Sequence, residues 1–368
     1  MSDATRPAGL TVATFNIWGI PIASYASLSR PGRLGDVAAA AVLDSSPPPG
    51  DRVVLCFQEA WAFKTGCGQP CIALARCLER SMPSMCLGRY QQIFNPRHLC
   101  REIFKVNSVC TLMASVFAAM STLCFPCSTL HDDVTRDEIA ESLKLWGLHH
   151  AVGIGGIAGI HASRRTLMDS GLLIVSSIAP VASGFTSYEC VGVEGVANKG
   201  YMWVLLPPTD PALGDGLSSG GQLIITTHHH ADQINSDNPG AIRTVQRTEM
   251  LAGISKLRAQ YRPALVVACG DFNEDAEPRP EGGGLVADFK AEGYERLTGI
   301  TKGIGTCIRD DGSGRCDELD HLFAAGDHID HLVCEPAKPL RTPWSDHSVL
   351  WVNRLRLPAA PVPRTELI

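Results

Sequence analysis

Apolar residues in this chain gather in short unbroken runs, and most of the runs stop at a polar residue. Leu10 to Trp18, Arg52 to Phe57, Gly171 to Ser176 and Gln222 to Thr227 show the pattern, as does Val266 to Cys269, which halts at Gly270. Runs of this length, rich in β-branched residues and bounded by turn formers, predict buried strands. Val181 to Tyr188, Tyr201 to Leu206, Glu318 to Ala324, His331 to Glu335 and Ser348 to Leu357 read as further strands, with a short one near Tyr90 to Phe94. Helical stretches lie between them. Arg30 to Leu43 opens on Pro-Gly and is rich in alanine; Pro70 to Arg80 and Asp132 to Lys144 are two more. Pro239 to Tyr261 carries helix-start signals, with Asp237 and Asn238 as caps and Pro239 in the first turn. Its apolar face is Ile242, Val245, Ile254 and Leu257. Strands interleaved with helices predict a mixed α/β domain.

One segment breaks the pattern. From Val106 to Leu130 there is no Asp, Glu, Lys or Arg. The run is long enough to cross a bilayer, but its Ser and Thr make it weakly hydrophobic, and Asn107 and Pro126 oppose a lone span. Two readings stay open: a hydrophobic helix or hairpin that dips into an interface, or an extra helix pair packed on the core. A second apolar, Gly-rich run spans Leu148 to Ile160. Residues 98–165 are therefore bracketed as an insertion within a single domain, 10–357. The Pro-rich tail 358–368 reads as loose.

Composition adds limits. The chain has 368 residues, 45% of them hydrophobic and 19% charged, enough for a large core. A net charge of −6 and a pI near 6.1 disfavour a nucleic-acid backbone as partner. Met1 to Gly9 is polar and holds no signal-peptide segment, which predicts an intracellular protein with reduced thiols. Among its 14 cysteines, Cys124 with Cys127 and Cys67 with Cys71 lack the second half of a zinc site. Small buried apolar residues is the role expected of them.

The residues that end the runs carry the chemistry. Asn16, Glu59, His228, Asp271 with Asn273, Asp320, and Asp346 with His347 all sit where a strand stops or starts. Asp271 and Asn273 occupy alternate positions and so point the same way. Strand ends on one edge can converge on a cleft. Three or more carboxylates gathered there repel unless a cation joins them, which implies Mg²⁺ or a similar hard ion such as Mn²⁺.

The set resembles the endonuclease/exonuclease/phosphatase superfamily, the fold of pancreatic deoxyribonuclease, and within it the neutral sphingomyelinases. Phe15-Asn16-Ile17-Trp18-Gly19-Ile20-Pro21, Arg33-Leu34-Gly35, Phe57-Gln58-Glu59, Ser170-Gly171-Leu172 and Asn198-Lys199-Gly200 follow the family's order. So do Thr227-His228 with Ala231, Gly270-Asp271-Phe272-Asn273, Leu319-Asp320-His321 and Ser345-Asp346-His347. The Trp-Gly-Ile-Pro turn and Asn-Lys-Gly carry the narrower likeness. The resemblance covers roughly Leu10 to Leu357 outside the insertion. It departs at His321, where many members have Tyr after the acid, and the triple histidine leaves His230 as the fallback for His228.

What the resemblance implies is a two-sheet, four-layer α/β sandwich with a hydrophobic insertion, hydrolysing sphingomyelin to ceramide and phosphocholine with Mg²⁺. Glu59 is the expected metal ligand, assisted by Asn16 and completed by Asp320. Asp271 and Asn273 orient water and phosphoryl group. His347 is the expected general base, supported by Asp346, and His228 donates to a phosphate oxygen. Lys199 is a weaker phosphate contact. Trp18, Trp61 and Phe63 are aromatics that could face choline or fill the core. The partner is a phospholipid at a membrane surface, so peripheral membrane association is expected. The rival readings are a phosphoinositide phosphatase or nuclease of the same fold, and a membrane-binding module with a dead site.

Overall fold

The structure is a computed structural model that describes residues 9–17, 51–60, 134–153, 170–189, 198–209, 220–232, 238–276, 284–297, 305–308, 316–326, 333–335, 340–341, 345 and 347–356. Among them, two mixed sheets pack face to face. In the first, β1 (Leu10–Asn16) pairs parallel with β2 (Arg52–Gln58), from Leu10 opposite Arg52 to Asn16 opposite Gln58. Beyond β2 come β4 (Leu173–Ser176) and β3 (His150–Gly153), both antiparallel to their neighbours. On the other side of β1 lies β15 (Ser348–Arg356), antiparallel, with β13 (Val333–Glu335) and β14 (Leu340–Arg341) paired to it. The second sheet runs β5 (Ala182–Ser187), β6 (Gly200–Leu206), β7 (Gln222–His228), β8 (Leu265–Asp271), β12 (Asp320–Gly326), β9 (Glu295–Arg296). Here β7 and β8 are parallel, with His228 opposite Asp271, and β12 is antiparallel, with Asp320 opposite Asp271. A small ribbon of β10 (Cys307–Ile308) and β11 (Cys316–Asp317) stands apart.

The unbroken apolar runs follow from this layering. Each central strand feeds two cores, so both of its faces must be apolar. Val12, Val54 and Ile174 meet Val204, Ile224, Val267 and Leu322 between the sheets. Ala13, Phe15, Leu55 and Phe57 face outward onto Ile139 and Leu143 of α1 (Val134–Lys144). Ile225, Val266 and Phe323 face the other way, onto Met250 and Ile254 of α2 (Pro239–Tyr261) and Phe289 of α3 (Leu285–Ala291). The result is the four-layer α/β sandwich that the sequence predicts.

Two features differ from expectation or refine it. The buried face of α2 is Arg243, Gln246, Arg247, Met250 and Ile254, while Val245 is 44% exposed. Its first half covers strand-end loops whose backbone groups need polar partners, and that need overrides apolar periodicity. Second, α1 and β3 fall inside the bracketed 98–165, yet β3 is hydrogen-bonded to β4 from His150 to Gly153. The expected helices at Arg30–Leu43 and Pro70–Arg80, the strand near Tyr90, the run Val106–Leu130 and the tail lie outside the described residues, as do Cys67, Cys71, Cys124 and Cys127. Cys56, Cys269 and Cys307 are buried free thiols, and Cys316 is partly exposed. No described helix is long and apolar enough to cross a membrane.

Candidate active site

Strand direction brings the polar residues to one end of the sandwich. β1 and β2 end there, with Asn16 and Glu59; β7 and β8 end there, with His228 and Asp271; β12 and β15 begin there, with Asp320 and His347. Asn16, His228, Asp271, Asp320 and His347 are all buried. Asn16 Nδ2 donates to Asp271 Oδ2 at 2.8 Å and lies 3.3 Å from Glu59 Oε1, crossing from one sheet to the other. His228 Nε2 stands 3.6 Å from Asp271 Oδ2 and 4.0 Å from Glu59 Oε1. His347 Nδ1 lies 2.8 Å from Asp320 Oδ2, and its Nε2 faces Asp271 Oδ2 at 3.7 Å.

Local backbone fixes these positions. Glu59 and Asn273 both take left-handed backbone, with φ of 59° and 51°, a conformation that non-glycine residues adopt at a cost and that clusters at functional turns. Gly270 precedes Asp271 at φ 142°, and a Cβ there would meet Thr227 O at 2.1 Å, so β7 and β8 close on each other only because it is glycine. After it, Asn273 N donates to Asp271 Oδ1 at 2.8 Å and tightens the turn. Phe272 anchors that turn from inside, its ring edge-on to His229, His321, Phe289 and Phe323.

Several holders were not legible as such in the sequence. Ser345 Oγ donates to Asn16 O at 2.7 Å and accepts from His347 N at 3.0 Å, tying β1 to the start of β15. Thr306 Oγ1 accepts from the backbone N–H groups of Leu319 and Asp320, each at 3.0 Å. From α2, Gln246 Oε1 accepts from His230 N, Arg243 donates to His230 O, and Arg247 pairs with Glu274 and Asp288. The only signal that could have found the α2 group is polar residues at helical spacing, Arg243, Gln246, Arg247, which alone reads as a solvated face.

The remaining expected residues fall as follows. His228, the residue that directly follows Thr227, is the histidine beside the carboxylates. His229 instead packs under the turn, its Nε2 3.1 Å from Tyr188 Oη. Lys199 is buried, and its Nζ donates to His229 O at 3.2 Å; Asn273 Nδ2 donates to the same carbonyl at 3.2 Å. Asp346 lies outside the described residues, as do Trp18, Trp61 and Phe63. Among the described residues, Asp320 is hydrogen-bonded to His347, a contact that adds to the metal role expected of Asp320.

Electrostatics match this crowding. Burial pushes the Asp271 carboxyl up to about 6, against the lowering effect of His347 and with Asp320 adding to the rise. For His347, burial pushes down, but the Asp320 and Asp271 carboxylates outweigh it and hold the imidazole well above its ordinary range. Two buried carboxylates around one imidazole are a cluster short of positive charge. One ligand atom from each of Asp271, Asp320 and His347 lies within 4.8 Å of the other two. Asp320 Oδ1 is buried without a hydrogen-bond partner among the described residues. Carboxylate oxygens with an amide nearby are the donor set of a hard divalent cation, so these residues fit Mg²⁺ or Mn²⁺.

No family model and no curated protein sequence matches this chain. Solved structures match it in shape. A double mutant of beta toxin from Staphylococcus aureus, with bound magnesium ions, aligns with a TM-score of 0.55 at 13% identity, over 94% of this chain and 99% of that one. Sphingomyelinase C from Streptomyces griseocarneus aligns with a TM-score of 0.52 at 13% identity, over 94% and 99%. SmcL gives 0.53 at 13%, over 95% and 99%. The likeness shows the fold alone: this chain shares the two-sheet α/β sandwich of these structures.

Proposed function

We propose that the protein is a divalent-metal-dependent phosphodiesterase that hydrolyses sphingomyelin to ceramide and phosphocholine. The observation that supports this most is the convergence of Asn16, Glu59, His228, Asp271, Asp320 and His347, from both sheets, on one buried acidic cluster. The solved structures of like fold include a sphingomyelinase C and a beta toxin with bound magnesium ions, which agree with the reading.

Glu59, Asp271 and Asp320, with Asn16 beside them, would hold Mg²⁺ or Mn²⁺. When bound, the ion supplies positive charge against the charge that develops on the phosphoryl oxygens. The chain's own groups do the rest. With the ion's charge set against Asp271 and Asp320, the carboxylates that otherwise hold the His347 imidazole protonated, the ring would be neutral and would take the proton from the attacking water at Nε2, the nitrogen that faces Asp271. Asp320 holds the ring in one orientation, and Asp346, its neighbour in sequence, adds negative charge. Asp271 and Asn273 orient water and phosphoryl group. His228, and more weakly Lys199, donate to a non-bridging oxygen as charge builds. The water oxygen joins phosphorus, the phosphorus–oxygen bond to ceramide breaks, and the ceramide oxygen departs, taking a proton from a solvent water, while His347 later returns its proton to solvent. The substrate sits in a bilayer, so a peripheral membrane contact follows from the reading.

A substrate panel tests it: sphingomyelin, phosphatidylcholine, phosphoinositides and DNA, each with Mg²⁺ and with chelator. Phosphocholine release from sphingomyelin should dominate and vanish with chelator. Dominant release of inorganic phosphate from phosphoinositides, or cutting of DNA, would move the protein to another chemistry of the same fold. No turnover on any phosphodiester would leave a non-catalytic module.

A further inference from the structure

Gln58 is a buried amide on the floor of this cluster. It closes β2 one residue before Glu59 and is fully buried. Its Nε2 donates to Thr226 Oγ1 on β7 at 2.8 Å, and Thr14 Oγ1 on β1 lies 3.0 Å from Nε2 and 3.2 Å from Oε1. Side chains two apart on a strand share a face. Thr14 therefore sits directly beneath Asn16, and Thr226 directly beneath His228. The amide joins the two sheets in the layer just below the residues that the proposed chemistry uses.

That layer matters because the cluster is split. Asn16, Glu59 and His347 ride on one sheet; His228, Asp271 and Asp320 ride on the other. Apolar packing between the sheets is strong but non-directional. A functional constellation needs its groups held to about 0.5 Å, which takes directional bonds in the supporting layer. We propose that Gln58 is a positioning residue: by bonding β2 to β7 through Thr226, it sets the spacing between the two halves of the cluster, and with it divalent-ion affinity and turnover. This rests on the metal-dependent reading above.

The test compares Gln58→Met, which keeps bulk and loses the amide, and Thr226→Val, which removes the acceptor, with Arg52→Met. Arg52 also joins β2 to β7, through Gln222 Oε1 at 2.6 Å, but at the opposite end of the strands. Mn²⁺ affinity of the metal-free full chain is measured by titration calorimetry, alongside Tm and, on sphingomyelin, kcat and KM. Gln58→Met and Thr226→Val should weaken Mn²⁺ binding on the order of 10–100-fold and lower kcat by a similar factor with little change in KM. Arg52→Met should lower Tm and leave Mn²⁺ affinity at the wild-type value. The proposal fails if a folded Gln58→Met binds Mn²⁺ as wild type does, or if Arg52→Met weakens binding equally. Should Gln58→Met not fold, Thr226→Val decides by the same criteria. Wild-type protein that binds Mn²⁺ but hydrolyses no phosphodiester ends the functional reading, and the affinities still decide this one. Wild-type protein that binds no Mn²⁺ overturns both.

Discussion

His347 and Asp320 stand on opposite sheets, and their side chains meet with Nδ1 2.8 Å from Oδ2. Asp320 is the first residue of β12 and His347 immediately precedes β15, so the pair exists only when the sandwich is closed. It fixes the imidazole's tautomer by giving Nδ1–H an acceptor, and leaves Nε2 toward Asp271.

That geometry sets the first prediction. His347→Gln should lower kcat by about 10²–10⁴-fold, the range of a lost general base, while Tm stays near wild type. Asp320→Asn should lower kcat by at least about 10-fold, because the pair loses the charge that stabilises imidazolium. Steady-state turnover with circular-dichroism melting separates the two effects. Full activity in either variant contradicts the assigned roles.

The buried histidines that do not face the cleft predict a pH signature. Burial, with Arg296 nearby, lowers the His321 imidazole to about 3, and its Nε2 bonds Glu274 O at 2.9 Å. A depressed histidine pKa means that protonation favours the unfolded chain. The contribution is complete above the unfolded value near 6.5 and is lost as pH falls toward 3, on the order of 5 kcal/mol in all. His321→Phe removes the titration. Urea melts at intervals from pH 7 to pH 4 should show wild type losing its stability advantage over the variant as pH drops. A constant difference across that range contradicts a neutral buried His321.

Gly270 gives a steric prediction. Gly270→Ala puts a methyl 2.1 Å from Thr227 O and strains a φ of 142°, whereas Gly293→Ala strains a φ of 79° with nothing within 4 Å. Gly293→Ala should cost about 1 kcal/mol, and Gly270→Ala at least about 2 kcal/mol, with loss of turnover because Asp271 follows it. Denaturant midpoints measure both. Equal costs would mean that β7 and β8 can part without penalty.

The uncharged run Val106–Leu130 is tested by deleting 106–130 alone, since α1 and β3 belong to the sandwich. Hydrolysis of sphingomyelin in vesicles should fall more than hydrolysis of detergent-dispersed substrate. An equal fall removes the membrane role.

The strands and their polar ends were legible because a strand buried on both faces writes itself as a continuous apolar run, as in Leu265–Asp271. Asn16, Glu59, Asp271 and His347 were legible for the same reason, each marking where such a run stops or starts. Pairing across the cleft was not. Nothing local links Asp320 to His347, 27 residues on. Nor was the use of α2, whose Arg243, Gln246 and Arg247 obey helical spacing but serve loop backbones and Glu274 rather than solvent. Such roles are set by what the fold brings opposite, and local pattern carries no trace of that.

Crystals soaked in Mn²⁺ and measured at the manganese edge test the central claim most directly. A divalent-ion centre requires an anomalous peak between Glu59 and the Asp271–Asp320 carboxylates, and its loss in Asp271→Asn crystals. A peak elsewhere, or none at saturating Mn²⁺, would contradict it.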